Sequence, residues 1–400
     1  MLLQRVCITN YDMVGGNLMG IYLDNASTTF PKPDCVPEAV YNFIKQLGAN
    51  INRGTYSSAY DTEDKVFETR EMLCRLFNFN DCKNVIFTQN ITMSLNMVIK
   101  GLLKKGDHVL VSAMEHNAVM RPLVQLLEYG ITFDRIPCDE EGSLMLDKVE
   151  GLIKPETKAI IMTHASNVCG TVMPAKEVGE ICKKHGIIFV LDAAQSAGVF
   201  KIDMEEMNIG VLCFTGHKGL LGPQGTGGFI IRDEIAEKMT ALISGGTGSI
   251  SHTEEVPEFL PDKFEHGTMN LPGIMGLHAS LGYIEEKGID AIHKREMELT
   301  EKFIAGIKEL ENINIIGKKG VEGRTSVVSV SFKNMDNAEA AFMLEDEFGI
   351  QTRVGLHCAP NAHKTLNTYP AGTVRFSFGQ FNTEEDVVCA VNALKNLNGR

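Results

Sequence analysis

Between Asn84 and Met239 the chain alternates short apolar runs with stretches whose apolar residues recur at helical spacing. The runs at Asn84 to Thr88, Val109 to Ser112, KAIIMTHA, Ile187 to Leu191 and Ile209 to Phe214 predict buried strands, and the periodic stretches predict the helices covering them. Such alternation predicts a doubly wound α/β fold around a mostly parallel sheet.

Outside this block the pattern changes. Residues Met1 to Gly20 show no clear period and precede the patterned segment IYLDNASTTFPKP, so Met19 is expected as the native start, with residues 1–20 a leader or extension. A turn-rich stretch from Asp24 to Pro33 leads into a helix expected from Val36 to Leu47, with Pro37 in its first turn. Val66, Leu73, Leu76 and Phe77 place one helical face on the core. After Ile243 comes a long polar, Gly- and Pro-rich segment through FEHGT, of the kind that is functional or lies at an interface. Beyond Ile289 the β-branched run TSVVSVSF, a helix through Ala338 to Phe348 and the strand GTVRFSF suggest a smaller α+β domain. The expected division is a large domain over 36–288 and a small one made of 21–35 and 289–400.

Composition narrows the function. The 400 residues are 44% hydrophobic and 22% charged, ordinary for a globular protein of two domains. A formal charge of −13 opposes attraction to nucleic acid or to anionic membrane, and no transmembrane run is visible, so the expected partners are a small molecule or another protein. The 10 cysteines form no C-x-x-C pair or zinc-finger spacing, which fits a reducing cytoplasm and no metal site. Cys74, Cys182, Cys213 and Cys389 lie in periodic segments and read as small core residues.

Candidate chemistry collects at the ends of the predicted strands. Asp192 ends one and Lys218, 26 residues later, follows another, where open α/β sheets bind ligands. A lysine there can form a Schiff base with a carbonyl, and an aspartate can hold a protonated pyridine nitrogen, which together suggest pyridoxal phosphate. Taken singly, the aspartate equally suits a helix cap and the lysine a solvated loop. The turn after Thr88 offers the backbone N–H groups of Asn90 and Ile91 and the Thr92 hydroxyl to a phosphate at a helix start, or merely a cap. His116 after one strand suits ring stacking or proton transfer, or a loop hydrogen bond, and Asn167 after another suits a ring oxygen or a turn. Arg53, in a polar loop, is either solvated or a carboxylate clamp. Cys358 follows His357 in a loop between strands carrying Arg353 and Arg375, a setting of positive charge that favours a nucleophilic thiolate, although loop cysteines are more often incidental.

Taken jointly, the motifs EHNAV, SNVCGT, DAAQS, TGHK with GPQGTGG, FEHGT, and RVGLHCAP with VRFSFGQFNT occur in a fixed order. From about Ile21 to its C-terminus the chain resembles the class V aminotransferase family, and within it the group II cysteine desulfurases and selenocysteine lyases. The resemblance implies a fold-type I pyridoxal phosphate enzyme, a homodimer with its sites near the subunit interface. Lys218 would carry the cofactor, Asp192 would pair with the pyridine nitrogen, His116 would stack on the ring, and Asn167 and Gln195 would approach its phenolic oxygen. Asn90, Ile91, Thr92, Thr215 and His217 would hold the phosphate, with Thr268 reaching in from the other subunit. Arg375, helped by Arg353 and Arg53, would bind the substrate carboxylate. Cys358 would take sulfur from L-cysteine as a persulfide, releasing alanine and passing the sulfur to an acceptor protein, in sulfur metabolism such as iron–sulfur cluster assembly. L-selenocysteine is the alternative substrate, and amino-group transfer or β-elimination the alternative reactions. Asn52 where related desulfurases often have histidine, Cys169 where leucine is common, and GLHCAP in place of GHHCAMP are departures bearing on substrate and acceptor.

Overall fold

The computed structural model describes residues 20–51, 56–250 and 252–400. Residues 1–19, with the expected start at Met19, and Arg53 lie outside the described residues. Thirteen strands are present among those described: β1 (Ile21–Tyr22), β2 (Val85–Thr88), β3 (His108–Ser112), β4 (Thr132–Ile136), β5 (Thr157–Thr163), β6 (Ile188–Asp192), β7 (Val211–Thr215), β8 (Gly227–Ile231), β9 (Ile313–Ile316), β10 (Val327–Phe332), β11 (Ile350–Gln351), β12 (Arg353–Gly355) and β13 (Thr373–Ser377).

Seven of them form one sheet in the order β2-β8-β7-β6-β5-β3-β4. The strands from β7 to β4 pair in parallel, and β8 alone runs against its neighbours β7 and β2. Every residue of β3, β7 and β8 is buried. These strands therefore read as continuous apolar runs, because helices cover both faces. The parallel register aligns the strand ends: Thr163 lies opposite Asp192, and Asp192 opposite Cys213. Polar groups at those ends are thereby gathered along one edge.

Four helices matter for the site. Helix α1 (Cys35–Asn42) continues into a π-helical turn at Phe43–Leu47, so the expected helix is present with a widened last turn. Helix α2 (Ser57–Phe77) buries Val66, Leu73 and Phe77 as its spacing predicts, while Leu76 is only half-buried against the same core. Helix α3 (Ile91–Leu102) starts directly after β2, capped by the side chain of Asn90, which accepts from the Met93 N–H. Helix α4 (Asn117–Leu126) is capped by His116, whose Nδ1 accepts from the Ala118 N–H at 3.0 Å.

A four-stranded antiparallel sheet, β12-β13-β10-β9, carries the C-terminal chemistry, and β1 pairs in parallel with β11 beside it. Arg353 on β12 is paired in register with Arg375 on β13. Leu23, Phe303, Phe376 and Phe378 sit in an apolar cluster beneath this sheet, apart from the two clusters that flank the seven-stranded one. Cys74, Cys182 and Cys213 are buried as expected, whereas Cys389 is only half-buried, because its helix, Glu384–Asn398, turns that position toward its rim. No described helix is long and apolar enough to cross a membrane.

Candidate active site

The site is assembled from strand ends. Asp192, the last residue of β6, is 2% exposed and accepts from the Ala194 N–H at 2.9 Å. Burial raises its pKa, while the Ala194 bond and the charge of Lys218 pull it back. Lys218, three residues past β7, is held well below an ordinary lysine, at about 8, first by burial and then by the Arg375 charge, with Asp192 opposing. Its amine is thus on the verge of neutrality near physiological pH, the condition for a nucleophile or proton carrier.

His116 is pushed down to about 4 by burial and by the nearby charges of Lys218, Arg353, Arg121 and Arg375. Because its Nδ1 accepts from Ala118, the single proton of the neutral ring is assigned to Nε2. A neutral imidazole held at a helix start suits a stacking role. His217 is likewise held near 4, and its Nδ1 is buried without a hydrogen-bond partner. An orphaned buried nitrogen of this kind is what a phosphate oxygen would satisfy. Beside it, β8 approaches the start of α3 so closely that a Cβ on Gly227 would lie 2.8 Å from Asn90 Cα. The N-terminal N–H groups of α3, at Ile91 and Thr92, are left free for an anion by the helix geometry. Asn90, rather than Thr92, is the cap, because its extended backbone lets its amide oxygen fold back onto the Met93 N–H. Thr215 closes this corner with a hydroxyl 3.4 Å from the Thr226 carbonyl.

Cys358 occupies the turn between β12 and the short helix Pro360–Thr365, with its side chain exposed. It and His357 are consecutive non-glycine residues in the left-handed region, at φ 58° and 47°. Such backbone costs about 1–3 kcal/mol per residue and persists only where neighbours impose it. The neighbours are on hand: Asn167 Nδ2 donates to the His357 carbonyl at 2.7 Å, and the Asn117 N–H donates to the Cys358 carbonyl at 2.8 Å. His357 Nε2 lies 2.9 Å from Thr373 Oγ1. The turn that presents Cys358 is therefore tied to the start of α4, where His116 sits. Arg353 Nη2 lies 3.8 Å from the Cys358 sulfur.

Arg375 is fully buried and engaged on two sides. Its Nη1 donates to the Asn167 carbonyl at 3.0 Å and its Nη2 to Asp24 Oδ1 and Ser27 Oγ at 2.7 and 2.8 Å. Its Nε is buried with no acceptor, a vacancy that a substrate carboxylate fits. Ser27 also accepts from Arg353 at 3.0 Å and donates to Asp24 at 2.8 Å.

Asp24, Ser27, Thr28, Thr29 and Lys32 were not anticipated from the sequence as site residues. Thr28, Thr29 and Lys32 hold the carbonyls of His217 and Lys218, with Lys32 Nζ 2.7 Å from the His217 oxygen. The only sequence signal was the polar cluster Asp24 to Thr29 directly after a strand-like dipeptide. Asn167 and Gln195, expected at a ring oxygen, each donate one amide N–H to a backbone carbonyl, of His357 and of Ala26. Thr268 is exposed on a cavity of about 240 Å³ shared with Thr88 and Gln89.

Buried Asp192 with the half-buried Lys218, the orphaned His217 nitrogen and the glycine-permitted approach to Asn90 together fit pyridoxal phosphate. The aminotransferase class-V model matches residues 21–389. The chain belongs to the aminotransferase class-V family. Its members depend on pyridoxal phosphate, and this one has the central sheet of a fold-type I enzyme. A probable cysteine desulfurase from Methanothermobacter thermautotrophicus is 34% identical over 383 residues, 95% of each chain. Another from Pyrococcus abyssi is 35% identical over 94% of each. The solved apo cysteine desulfurase of Thermococcus onnurineus superposes with a TM-score of 0.86 at 31% identity over 95% of both chains. The cysteine desulfurase CsdA of Escherichia coli, in an S-sulfonic acid form, gives 0.85 at 27% identity over 94% of each.

Proposed function

We propose that this class V enzyme is a pyridoxal phosphate-dependent cysteine desulfurase, converting L-cysteine to L-alanine and retaining the sulfur on Cys358 as a persulfide. The observation that carries the reading is the clamped Cys358 turn, which brings an exposed thiol to the start of α4 and beside Arg353, on the same edge as Lys218 and Asp192.

Each residue has a task set by its surroundings. Arg375, with Arg353 behind Ser27, binds the substrate carboxylate, and Asp24 fixes the guanidinium plane. The phosphate would be held by His217, Thr215, Asn90, Ile91 and Thr92, and Asp192 would pair with the pyridine nitrogen. The cofactor supplies an electron sink for the pair left when the substrate loses its α-proton. Lys218, with its lowered pKa, takes that proton and returns one to carbon. His116 stays neutral and would cover the ring. The Cys358 sulfur attacks the substrate sulfur, so that a sulfur–sulfur bond forms as the carbon–sulfur bond breaks.

Cys358 is exposed but held by backbone bonds on both sides, which supports transfer of its sulfur to a visiting acceptor protein rather than a long swing. A homodimer is supported by exposed Tyr41, Ile44, Leu47 and Phe67 along α1 and α2 and by the exposed Thr268. A cytoplasmic setting is supported by Cys35, Cys74, Cys82, Cys138, Cys169, Cys182, Cys213 and Cys358, which are free thiols.

The test is alanine formation from L-cysteine by the cofactor-loaded protein, wild type against Cys358→Ala. Alanine made by the wild type and lost in the variant is the expected result. Equal activity in both refutes the role of Cys358. No alanine from either directs the search to selenocysteine.

A further inference from the structure

Beneath the ring-facing residues lies a second buried carboxyl that none of the steps above uses. Glu115 follows β3 and directly precedes His116, and it is 1% exposed. Its Oε1 accepts from the Ser112 hydroxyl at 2.5 Å and from the Thr163 N–H at 2.9 Å, and Oε2 is 3.2 Å from the same N–H. Ser112 ends β3 and Thr163 ends β5. Thr163 is in turn the register partner of Asp192 on β6. One side chain thus joins two strand ends, is adjacent in sequence to the helix-capping His116, and stands one strand away from Asp192.

No cation forms an ion pair with Glu115 among the described residues. Its partners are a hydroxyl and a peptide N–H, and Asp192 and the Cys138 thiol, both acids, lie within electrostatic reach of it. Two ionised carboxyls in one desolvated site repel, so one of them keeps its proton. Asp192 has the Lys218 charge to stabilise its anion and Glu115 has none.

We propose that Glu115 is a positioning residue for the reaction, a neutral carboxylic acid that locks the ends of β3 and β5 so that His116 and Asp192 face the cofactor, leaving Asp192 the negative charge under the ring. Burial, opposed by the Ser112 and Thr163 bonds and aided by Asp192, pushes the Glu115 carboxyl up to about 8, in keeping with this assignment. The inference rests on the reading of Asp192 as the partner of the pyridine nitrogen.

Two substitutions separate neutral bridging from charge. Glu115→Gln keeps an acceptor oxygen for Ser112 and Thr163 without any charge, whereas Glu115→Ala strands the buried Thr163 N–H. Three readouts are used: the thermal midpoint of the apoprotein, the dissociation constant for pyridoxal phosphate, and the pH dependence of the cofactor's visible absorption. For Glu115→Gln we expect an unchanged midpoint, an affinity within about twofold of wild type and the same pH profile. For Glu115→Ala we expect an affinity loss of about tenfold or more, the size of one unmade buried bond. A glutamine variant as impaired as the alanine variant, or an alanine variant that binds like wild type, overturns the proposal.

Should wild type bind no cofactor, the functional reading fails, and infrared spectra of the apoprotein decide the Glu115 question alone. A protonated-carboxyl band at neutral pH that disappears in Glu115→Gln supports the neutral state. Its absence from wild type refutes it.

Discussion

Removing Asp24 tests whether the substrate arginine is prearranged by the N-terminal segment. The Asp24–Arg375 pair is close, at 2.7 Å, with side chains 21% and 1% exposed. Taking one partner from a buried ion pair costs about 3–5 kcal/mol, because the other charge is left desolvated. Here Asp24 is partly solvated, and Ser27 and the Asn167 carbonyl remain on the guanidinium. The expected loss for Asp24→Ala is therefore lower, about 2–3 kcal/mol, the range of a strong charged hydrogen bond. Arg375→Met removes the buried charge itself, so the double variant should be more stable than the sum of the single losses predicts, by about 2 kcal/mol. Guanidinium unfolding of the four apoproteins measures this coupling. Because the pair is buried, the coupling should change little with salt. The exposed Arg75–Glu285 pair, 59% and 43% exposed, serves as a control worth at most about 1 kcal/mol. In cofactor-loaded protein, Asp24→Ala should also raise the KM for L-cysteine about tenfold, equivalent to about 1.4 kcal/mol of lost orientation. Additive single losses together with an unchanged KM would refute the reasoning.

Further predictions concern the cofactor seat and the fold. Lys218→Ala should abolish the visible absorption of covalently held cofactor, and an unaltered spectrum would move the attachment elsewhere. Gly227→Ala drives a Cβ to within 2.8 Å of Asn90 backbone, which cannot yield as a flexible side chain does; overpacking of about 1–3 kcal/mol should weaken pyridoxal phosphate binding by roughly 5- to 150-fold in a titration. Cys358→Ala should cut alanine formation on the order of a thousandfold or more while leaving the cofactor spectrum intact. The stability of the apoprotein should peak near pH 6.5, as thermal midpoints between pH 4 and 9 would show. Burial holds His116, His164, His217 and His363 near 4, so the unfolded chain takes up protons first and stability drains as pH falls from about 6.5 to 4. Glu115 and Glu296, raised to about 8, act in the opposite sense, their contribution being full below about 4.5 and lost as pH rises through 8. A midpoint that climbs steadily from pH 6.5 to 8 would contradict this balance.

What the sequence disclosed follows from the range of the forces involved. Runs such as residues 211–214 are apolar throughout because both faces of the sheet are covered, and the first polar residue after each run marks the strand end. Asp192 and Lys218 could be placed that way, one strand at a time. The bond from Arg375 to Asp24 spans 351 residues, and no local pattern announces it. The bonds that the Asn167 and Gln195 amides make were hidden for the same reason, since their acceptors, His357 and Ala26, lie far along the chain. Cap chemistry was legible only to within two residues: Thr92 and Asn90 both suit a helix start, and the extended backbone at Asn90 decided between them. The burial that sets the protonation of Glu115 is likewise a property of three strands together.

The stretch Asp24 to Lys32, which grips Arg375, His217 and Lys218, has a consequence for the order of events on the ribosome. It is made early, and the arginine it orients is made 351 residues later. At about 5–20 residues per second, roughly 20–70 s pass between the two. Throughout that interval the seven-stranded sheet, complete by Ile231, can form while the Asp24 to Lys32 stretch waits for Arg375. Active-site closure is therefore among the last steps of biosynthesis, and a chain truncated before β13 would carry a cofactor cradle with no means of gripping its substrate.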